Sequence, residues 1–240
     1  MARPARSSPP PRISFLLASE APIGIVFRRG PTKLVRIYSW DRERDKFKPG
    51  SWFKGRIFPK RSALSPDGRY MIYFAMGAVA WAIPATGGTW TAISRVPSLT
   101  AIALWGQGGE TWGGGGRFTC NTRYWLDANA NTFLLRDTQL LRRDSLRPVP
   151  DWSVERQGLG WTSTKGRRDG WTLRQSVRYP KKDRFTLERE GAVIELPGCE
   201  WADWDRDRLV WAESGCLRAA KVRAGKLVAV RTLYDFNSAS

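Results

Sequence analysis

One segment of the sequence, residues 63–75, reads ALSPDGRYMIYFA and places a Ser-Pro-Asp-Gly turn just before an uncharged run. Asp and Gly favour tight turns, because Gly reaches positive φ without strain and Asp hydrogen-bonds to nearby backbone. A short uncharged run bounded by a turn is typical of a strand that is covered on both faces. The segment therefore predicts a turn at Asp67-Gly68 that leads into a buried strand over Tyr70–Ala75.

Weaker copies of this turn-and-strand pattern occur on both sides of the segment. A turn precedes an apolar run at five positions, which are marked by Gly30, Gly68, Thr122, Gly170 and Arg206. The markers lie roughly 36 to 54 residues apart, and a four-stranded propeller blade takes roughly 40 to 50 residues. The repeat therefore predicts an all-β chain with one blade for each marker.

The composition and the apolar runs agree with this fold. Thirteen Trp, together with 23 Gly and 15 Pro, favour aromatic-rich strands joined by tight turns. Continuous apolar runs at 101–105, 124–126 and 209–212 suit inner strands, whereas 184–189 alternates as a more exposed strand does. We predict a single β-propeller with five blades of about four antiparallel strands each.

The predicted domain covers residues 12–240. Its five blades are expected at 20–54, 55–96, 97–150, 151–197 and 198–237. Residues 15–17 are expected to close the ring by joining the last blade, and residues 1–11 to form a flexible, basic, Pro-rich arm. Because the units are unequal in length, a β-sandwich with a small β appendage is the alternative fold.

Residues 65–75, SPDGRYMIYFA, resemble the repeat of the Tol-type propellers and, more loosely, that of the tryptophan-aspartate repeat propellers. The resemblance covers one unit and implies the fold alone, because this architecture hosts many unrelated functions. Without histidine, the Asp-His-Ser-Trp network of the tryptophan-aspartate repeats cannot form. Aromatic packing and turns are therefore expected to hold the blades, and no catalytic or binding residue is carried over.

The absence of histidine also limits the catalytic chemistry of the chain. No Ser-His-Asp or Cys-His nucleophile and no imidazole metal ligand can form. We therefore expect no cofactor, no metal and no enzyme activity. The catalytic alternative is a carboxylate-based glycoside hydrolase, or a related sugar binder, with Glu110, Asp127 and Glu213 as the candidate acids.

Two further segments carry expectations about structure. Residues 70–94 are uncharged, but Gly77 and Pro84 interrupt them, so two buried strands are expected rather than a membrane helix. The Gly-rich run WGQGGETWGGGG, residues 105–116, lacks the ending of a phosphate-binding loop. We interpret it as a flexible hairpin loop, with a loop at the propeller mouth as the alternative.

The three cysteines are Cys120, Cys199 and Cys216, an odd number without a CxxC pair. This spacing indicates neither a disulfide framework nor a zinc site, and the apolar neighbours favour buried structural thiols. We therefore expect a cytoplasmic protein that is monomeric as an isolated chain and does not enter a membrane.

The net charge of +18 makes an acidic partner a candidate. Basic residues interleave with aromatic ones in two stretches, 28–61 and 165–184, a mixture suited to phosphate contact and base stacking. The candidate binding residues in these stretches are Arg28, Arg29, Trp52, Lys54, Arg56, Lys60, Arg61, Lys165, Arg167, Arg168, Lys181, Lys182 and Arg184.

Two function classes follow from these features. The first is a non-catalytic propeller that serves as a scaffold subunit and binds a protein partner through its top face, because no catalytic set is visible. The alternative is a basic nucleic-acid-binding subunit, which the charge supports. Survival or loss of the bound partners after nuclease treatment separates the two.

Overall fold

The computed structural model describes residues 9–30, 33–147, 154–157, 160–178 and 183–238, and β-strands dominate these residues. Within this part of the chain, no helix has the length and apolar character needed to cross a bilayer. The strands form five sheets, which we number one to five along the chain. An all-β fold is therefore confirmed.

Sheet one is antiparallel and consists of β1 (Arg12–Leu17), β2 (Ile23–Arg29), β3 (Leu34–Asp41) and β4 (Lys46–Lys54), in that order. The expectation that residues 15–17 join the last blade is wrong, because Phe15 lies opposite Val26 of β2. The Ala18 N–H donates to the Ile23 carbonyl at 2.9 Å and closes a short hairpin. Closing so short a loop loses less chain entropy than pairing with the far end of the chain.

Sheets two and three interleave in sequence. Their elements are β5 (Arg56–Leu64), β6 (Tyr70–Met76), the short helix α1 (Ala82–Thr86), β7 (Thr89–Arg95), β8 (Ala101–Gly106), β9 (Gly116–Cys120), β10 (Arg123–Leu126), β11 (Phe133–Arg136) and β12 (Arg142–Asp144). Sheet two has the order β5-β6-β7-β8-β11, and sheet three has the order β9-β10-β12. All neighbours are antiparallel except β10 and β12, which are parallel.

The predicted blade boundary between residues 96 and 97 is wrong. β8 forms a hairpin with β7, in which Ile93 lies opposite Ala103 with both side chains buried, so it belongs to sheet two. The two strands expected in the uncharged stretch 70–94 are confirmed as β6 and β7.

Sheets four and five follow the predicted limits closely. Their strands are β13 (Val154–Gln157), β14 (Gly160–Arg168), β15 (Trp171–Arg178), β16 (Arg184–Arg189), β17 (Ala192–Glu195), β18 (Cys199–Asp205), β19 (Arg208–Glu213), β20 (Cys216–Arg223) and β21 (Lys226–Asp235). Each sheet keeps the order of the sequence. The predicted division between residues 197 and 198 falls in the connection between β17 of sheet four and β18 of sheet five.

The five turn markers fall in five different sheets. Each one stands in the connection before a strand: β3, β6, β10, β15 and β19. Four of the markers have positive φ, among them Gly68 at 73° and Arg206 at 56°. The repeat found in the sequence therefore corresponds to a recurring structural position.

Buried apolar clusters join the sheets in a defined order. One cluster lies between sheets one and two, a second between one and five, a third between four and five, and a fourth between two and three. The packing order is thus three, two, one, five, four, and within the described residues no comparable cluster joins sheets three and four. Five sheets in this order differ from the two-sheet sandwich that was the alternative fold.

Candidate binding cavity

A cavity of about 1250 Å³ lies among the five sheets, and each sheet contributes to its wall. Representative wall residues, one from each sheet in numerical order, are Arg12, Lys60, Arg117, Lys165 and Trp201. Counted over the described lining, nine Lys or Arg side chains face four Asp or Glu side chains. The wall therefore carries a formal excess of five positive charges, which favours an anionic occupant.

The two basic stretches of the sequence meet at this cavity. Lys60 of β5 forms an ion pair with Asp183, and Gln175 Nε2 donates to the same carboxylate oxygen at 2.6 Å. Six candidate residues line the wall, namely Arg29, Arg56, Lys60, Arg61, Lys165 and Arg184. The tertiary structure thus brings residues of both predicted patches to the wall of one cavity.

Five candidate residues lie away from the cavity. Arg28 is buried, and its Nε donates to the Phe236 carbonyl at 2.9 Å, so it ties the last residues to sheet one and is not available at the surface. The others are solvent-exposed, with Trp52 and Lys54 on the outer strand β4 and Arg167 and Arg168 at the β14–β15 hairpin.

The last two candidates, Lys181 and Lys182, lie outside the described residues.

Sequence reasoning missed three cationic wall residues, Arg12, Arg117 and Arg147. Arg12 lies directly opposite Arg29 in the β1–β2 pair. Only the strand register reveals this proximity, and the register is not readable from charge spacing.

Three arginines form a cationic rim of the cavity. They are Arg12 at the start of β1, Arg29 at the end of β2 and Arg56 at the start of β5. Burial, followed by repulsion from Arg56 and Arg12, lowers the pKa of Arg29. Within the described chain, none of the three forms an ion pair with a carboxylate, although the Arg56 guanidinium packs 4.4 Å from the Phe58 ring centroid. This rim is therefore an electropositive entrance.

Lys165 also lines this cavity. Its Nζ lies 4.6 Å from the centroid of the Trp201 ring. Burial is the main cause that lowers the pKa of Lys165, and the nearby Lys60 and Arg117 lower it further, against the opposing effects of Asp203 and Asp183. Cations from β5, β9 and β14 thus all contribute to the wall of this cavity.

The carboxylates proposed for glycoside hydrolysis are not brought together. Of the three, only Asp127 lines the cavity, whereas Glu110 accepts from Asn131 Nδ2 at 3.4 Å and Glu213 accepts from Trp211 Nε1 at 3.3 Å. Glycoside hydrolysis needs two carboxyl groups at a defined separation across the sugar. The geometry therefore gives no support to this trio as a catalytic pair.

The other wall carboxylates are already engaged. Asp183 pairs with Lys60, Glu195 accepts from Arg184 at 2.6 Å, and the Glu200 carboxylate accepts from the Ile13 backbone N–H at 3.3 Å. In the described part of the chain, no three Asp, Glu or Cys side chains cluster in a way that could hold a metal ion.

The Gly-rich loop, residues 107–115, joins β8 of sheet two to β9 of sheet three, so the hairpin interpretation is wrong. The Arg61 guanidinium donates to the carbonyls of Thr111 and Gly113, each at 2.6 Å, and the Gly115 N–H donates to Thr91 Oγ1 at 2.7 Å. Gly114 and Gly116 line the cavity. The loop therefore borders the cavity, and the alternative interpretation, a loop at the propeller mouth, stays a prediction.

Two apolar side chains, one on the Gly-rich loop and one on the neighbouring helix, are exposed. Trp112 in the Gly-rich loop is 84% exposed, and Ile83 in α1 is 56% exposed. The loop and the helix are neighbours, because the backbone of Gly87, just after α1, closely approaches that of Gly108.

The cysteines do not share one environment, which corrects the expectation of three buried thiols. Cys199 is buried and lines the cavity, Cys216 is half-buried and Cys120 is exposed. Burial raises the pKa of the Cys199 thiol, whereas hydrogen bonds with the backbone and side chain of Thr122 lower the pKa of Cys120.

No family model and no curated protein matches this sequence. Among solved structures, the chain is similar to one from a structural and mechanistic study of two prolyl endopeptidases, with a TM-score of 0.37 and 8% sequence identity. The similarity covers 93% of this chain and 42% of the other. We base no conclusion about the cavity on so distant a likeness.

Proposed function

We propose that the five sheets are the blades of a β-propeller and that the protein is a non-catalytic interaction module. The packing order of the sheets supports the propeller, because sequence neighbours pack face to face and the first sheet packs against the last. The cavity lined by all five sheets then corresponds to the central channel of the propeller. Closure of the ring requires a fifth contact, between sheets three and four.

The partner that fits best is an acidic protein segment that also carries apolar side chains. Two observations support this partner. The cavity wall is basic and includes Arg29 and Arg56, and the apolar side chains of Ile83 on α1 and Trp112 on the Gly-rich loop are exposed. Protein interfaces are enriched in aromatic residues and arginine and anchor on such groups. Loops held by rigid sheets suit a scaffold subunit.

The test is a pull-down with the tagged protein, with and without nuclease, compared with the double variant Ile83→Ser, Trp112→Ser. Both side chains are exposed, so the fold is expected to survive. We expect the native chain to retain a bound protein after nuclease treatment and the double variant to lose that protein. Val193→Ser is the control, because Val193 is similarly exposed on β17 of sheet four, and it should retain the partner.

Nucleic acid is the second candidate. It is favoured by Trp52, which is 47% exposed and lies 4.8 Å from the Arg36 guanidinium, with Lys54 on the same strand. Exposed aromatic rings beside cations offer base stacking and phosphate contact. In that case nuclease treatment should release the bound material, and Lys54→Glu should lower the slope of log affinity against log salt by about 0.7 to 0.9.

A further inference from the structure

We propose that an open groove between sheets one and two binds an extended peptide segment that carries both acidic and apolar side chains. The groove has a volume of about 1030 Å³ and shares no lining residue with the cavity among the five sheets. Neither Ile83 nor Trp112 lines it. The inference therefore concerns a second surface and does not depend on the site used for the function proposed above.

Contacts between the two sheets hold the walls of this groove in place. The Ser51 N–H of β4 donates to the Pro97 carbonyl at 3.4 Å, and the Leu99 N–H donates to Ser51 Oγ at 3.1 Å. Elsewhere along the groove Gly68 packs so closely on Ile23 that an added Cβ would lie 2.9 Å from the Ile23 Cβ. The groove therefore exists before a ligand binds, which reduces the entropy lost on binding.

Cations from both sheets line the groove without acidic partners. Lys46 and Lys48 are exposed on one face of β4, whereas Phe47 between them stacks on Trp40 in the core. Arg95, at the end of β7, is exposed and lines the groove from sheet two. Over the residues that the structure describes, none of these three cations forms an ion pair. Their charges are therefore available to a ligand.

The carboxylates along the groove are already engaged. Asp41 accepts from the backbone N–H groups of Glu43 and Arg44 at 3.0 and 3.2 Å, and Glu43 pairs with Arg206 at 3.5 Å. Counted over the described lining, five Lys or Arg side chains face these two acids. The groove thus carries a formal excess of three positive charges, to which an acidic segment is complementary.

The groove also offers apolar surface. Pro22, Ile23, Val96 and Pro97 line it and are half-buried, so part of each side chain is open to a ligand. Charges on an outer strand can simply keep that strand from pairing with another chain, but this role needs no apolar surface beside them. A segment that carries acidic and apolar side chains can use the cations and the apolar surface together.

The lining favours a peptide over the other possible occupants. Single-stranded nucleic acid relies on aromatic rings that are open to its bases, whereas Trp40 is fully buried here and Tyr70 is half-buried. A second copy of this chain would bring another charge of +18 to a basic groove, which repulsion disfavours. Aliphatic and proline surface flanked by cations suits the side chains of an acidic peptide.

The test uses a short synthetic peptide of alternating Glu and Leu as the probe, with binding measured by fluorescence anisotropy at about 150 mM salt. The variant is Lys46→Glu, Lys48→Glu, which reverses two exposed charges and should melt as the native protein does. We expect its affinity for the peptide to fall by about tenfold, since each exposed charge pair contributes less than a buried one.

Arg223→Glu, Lys226→Glu is the matched control. Both residues are exposed at the β20–β21 hairpin, neither lines the groove, and the double change alters the net charge by the same amount. The affinity of this control should stay within about twofold of the native value, because distant exposed charges are screened. Equal weakening by the two double variants would overturn the proposal, since net charge alone would then govern binding.

A second peptide, with Ser in place of each Leu, tests the apolar surface. It keeps the charges and should bind about tenfold more weakly, whereas equal binding would overturn the proposal. Tighter binding of an oligothymidine, lost in Lys46→Glu, Lys48→Glu, would assign the groove to nucleic acid instead. Dimers of the native protein that this variant dissociates would assign it to a second copy. Because the probe is synthetic, this test and the pull-down can fail separately.

Discussion

At the scale of single residues, the turn at 65–68 shows why its four residue types occur together. Ser65 is fully buried, its hydroxyl donates to Asp67 Oδ1 at 2.6 Å, and it accepts from the Tyr70 N–H at 3.0 Å. Gly68 has a φ of 73° and donates its N–H to the Ser65 carbonyl at 2.8 Å. The turn is thus closed by its own side chains before the buried strand begins.

Replacing Gly68 with Val should destabilise the protein by roughly 1 to 3 kcal/mol. The backbone at Gly68 is left-handed, and a Cβ there would lie 2.9 Å from the Ile23 Cβ. Gly191→Val is the control, because Gly191 also has positive φ but no atom within 4 Å of such a Cβ. Chemical unfolding should show the larger loss for Gly68→Val, and equal losses would mean that crowding plays no part.

The cysteines give a second prediction at this scale. A soluble alkylating reagent should modify Cys120 first and Cys199 last, because the thiolate is the reactive form and Cys199 is both buried and raised in pKa. Thr122→Val should move the midpoint of the Cys120 pH–rate profile upward, since the Thr122 hydroxyl contributes to the lowered pKa. Thr122→Ser should leave it in place. An unchanged midpoint in the Val variant would contradict this role of Thr122.

At the scale of elements, the recurring turns contact one another. The Asp67 N–H donates to Asn121 Oδ1 at 2.7 Å, and Asn121 Nδ2 donates to Glu20 Oε2 at 2.8 Å. These residues lie in turns of sheets two, three and one. Asp67 and Asn121, which belong to two of the recurring turns, therefore also join neighbouring sheets, a role that turn propensity alone does not reveal.

Strand pairing also departs from the predicted units at β11. The outermost strand of sheet two is β11, whose residues 133–136 come from the stretch assigned to the third blade. After β8 the chain leaves sheet two through the Gly-rich loop, forms β9 and β10 of sheet three, and then returns to sheet two as β11. An exchange of this kind depends on loop geometry, so the spacing of turn markers could not show it.

At the scale of the whole molecule, a network of ion pairs joins the first sheet to the last. Arg42 pairs with Asp205 at 2.8 Å, and Arg208 pairs with both Asp205 at 2.6 Å and Asp45 at 2.7 Å. Arg231 pairs with Asp45 at 2.8 Å. The network supplements the apolar contact between sheets one and five, where Trp40 and Phe236 are fully buried.

Replacing Asp45 with Asn should destabilise the protein by about 1 to 3 kcal/mol at neutral pH, because Arg208 loses a partly buried charged partner. Burial raises the pKa of Asp45, but hydrogen bonds and attraction from Arg208, with Trp40 and Arg231, outweigh it and lower the pKa overall. A lowered pKa in the folded state means that the stabilisation is complete above about pH 4 and disappears as the pH falls further.

Unfolding measured at pH 7 and at successively lower pH should therefore show the native protein and Asp45→Asn converging in acid. Asp207→Asn is the control, because Asp207 pairs with Lys221 on the surface, where both side chains are about half exposed. It should change stability little at any pH. A constant difference between the native protein and Asp45→Asn down to pH 3 would contradict the network.

The candidate site was predictable in its chemistry and only partly in its membership. Charge and aromatic spacing identified Arg29, Arg56, Lys60 and Lys165, since cations are visible in any sequence. The same reasoning also included Arg28, which the structure buries against the Phe236 carbonyl. Arg28 and Arg29 are neighbours in a strand and therefore point to opposite faces, so only one of them can face the cavity. It missed Arg117, whose location at the cavity depends on the packing of sheet three.

The sequence by itself determined the all-β character, the five turns and the strands that follow them, because turn chemistry and apolar periodicity act over a few residues. It also determined the excess of positive charge. Only the tertiary structure decided that β1 pairs with β2, that β8 and β11 belong to sheet two, and that two distant basic stretches face one cavity. These outcomes depend on contacts between residues far apart in sequence, which form only when the sheets pack and which local patterns do not encode.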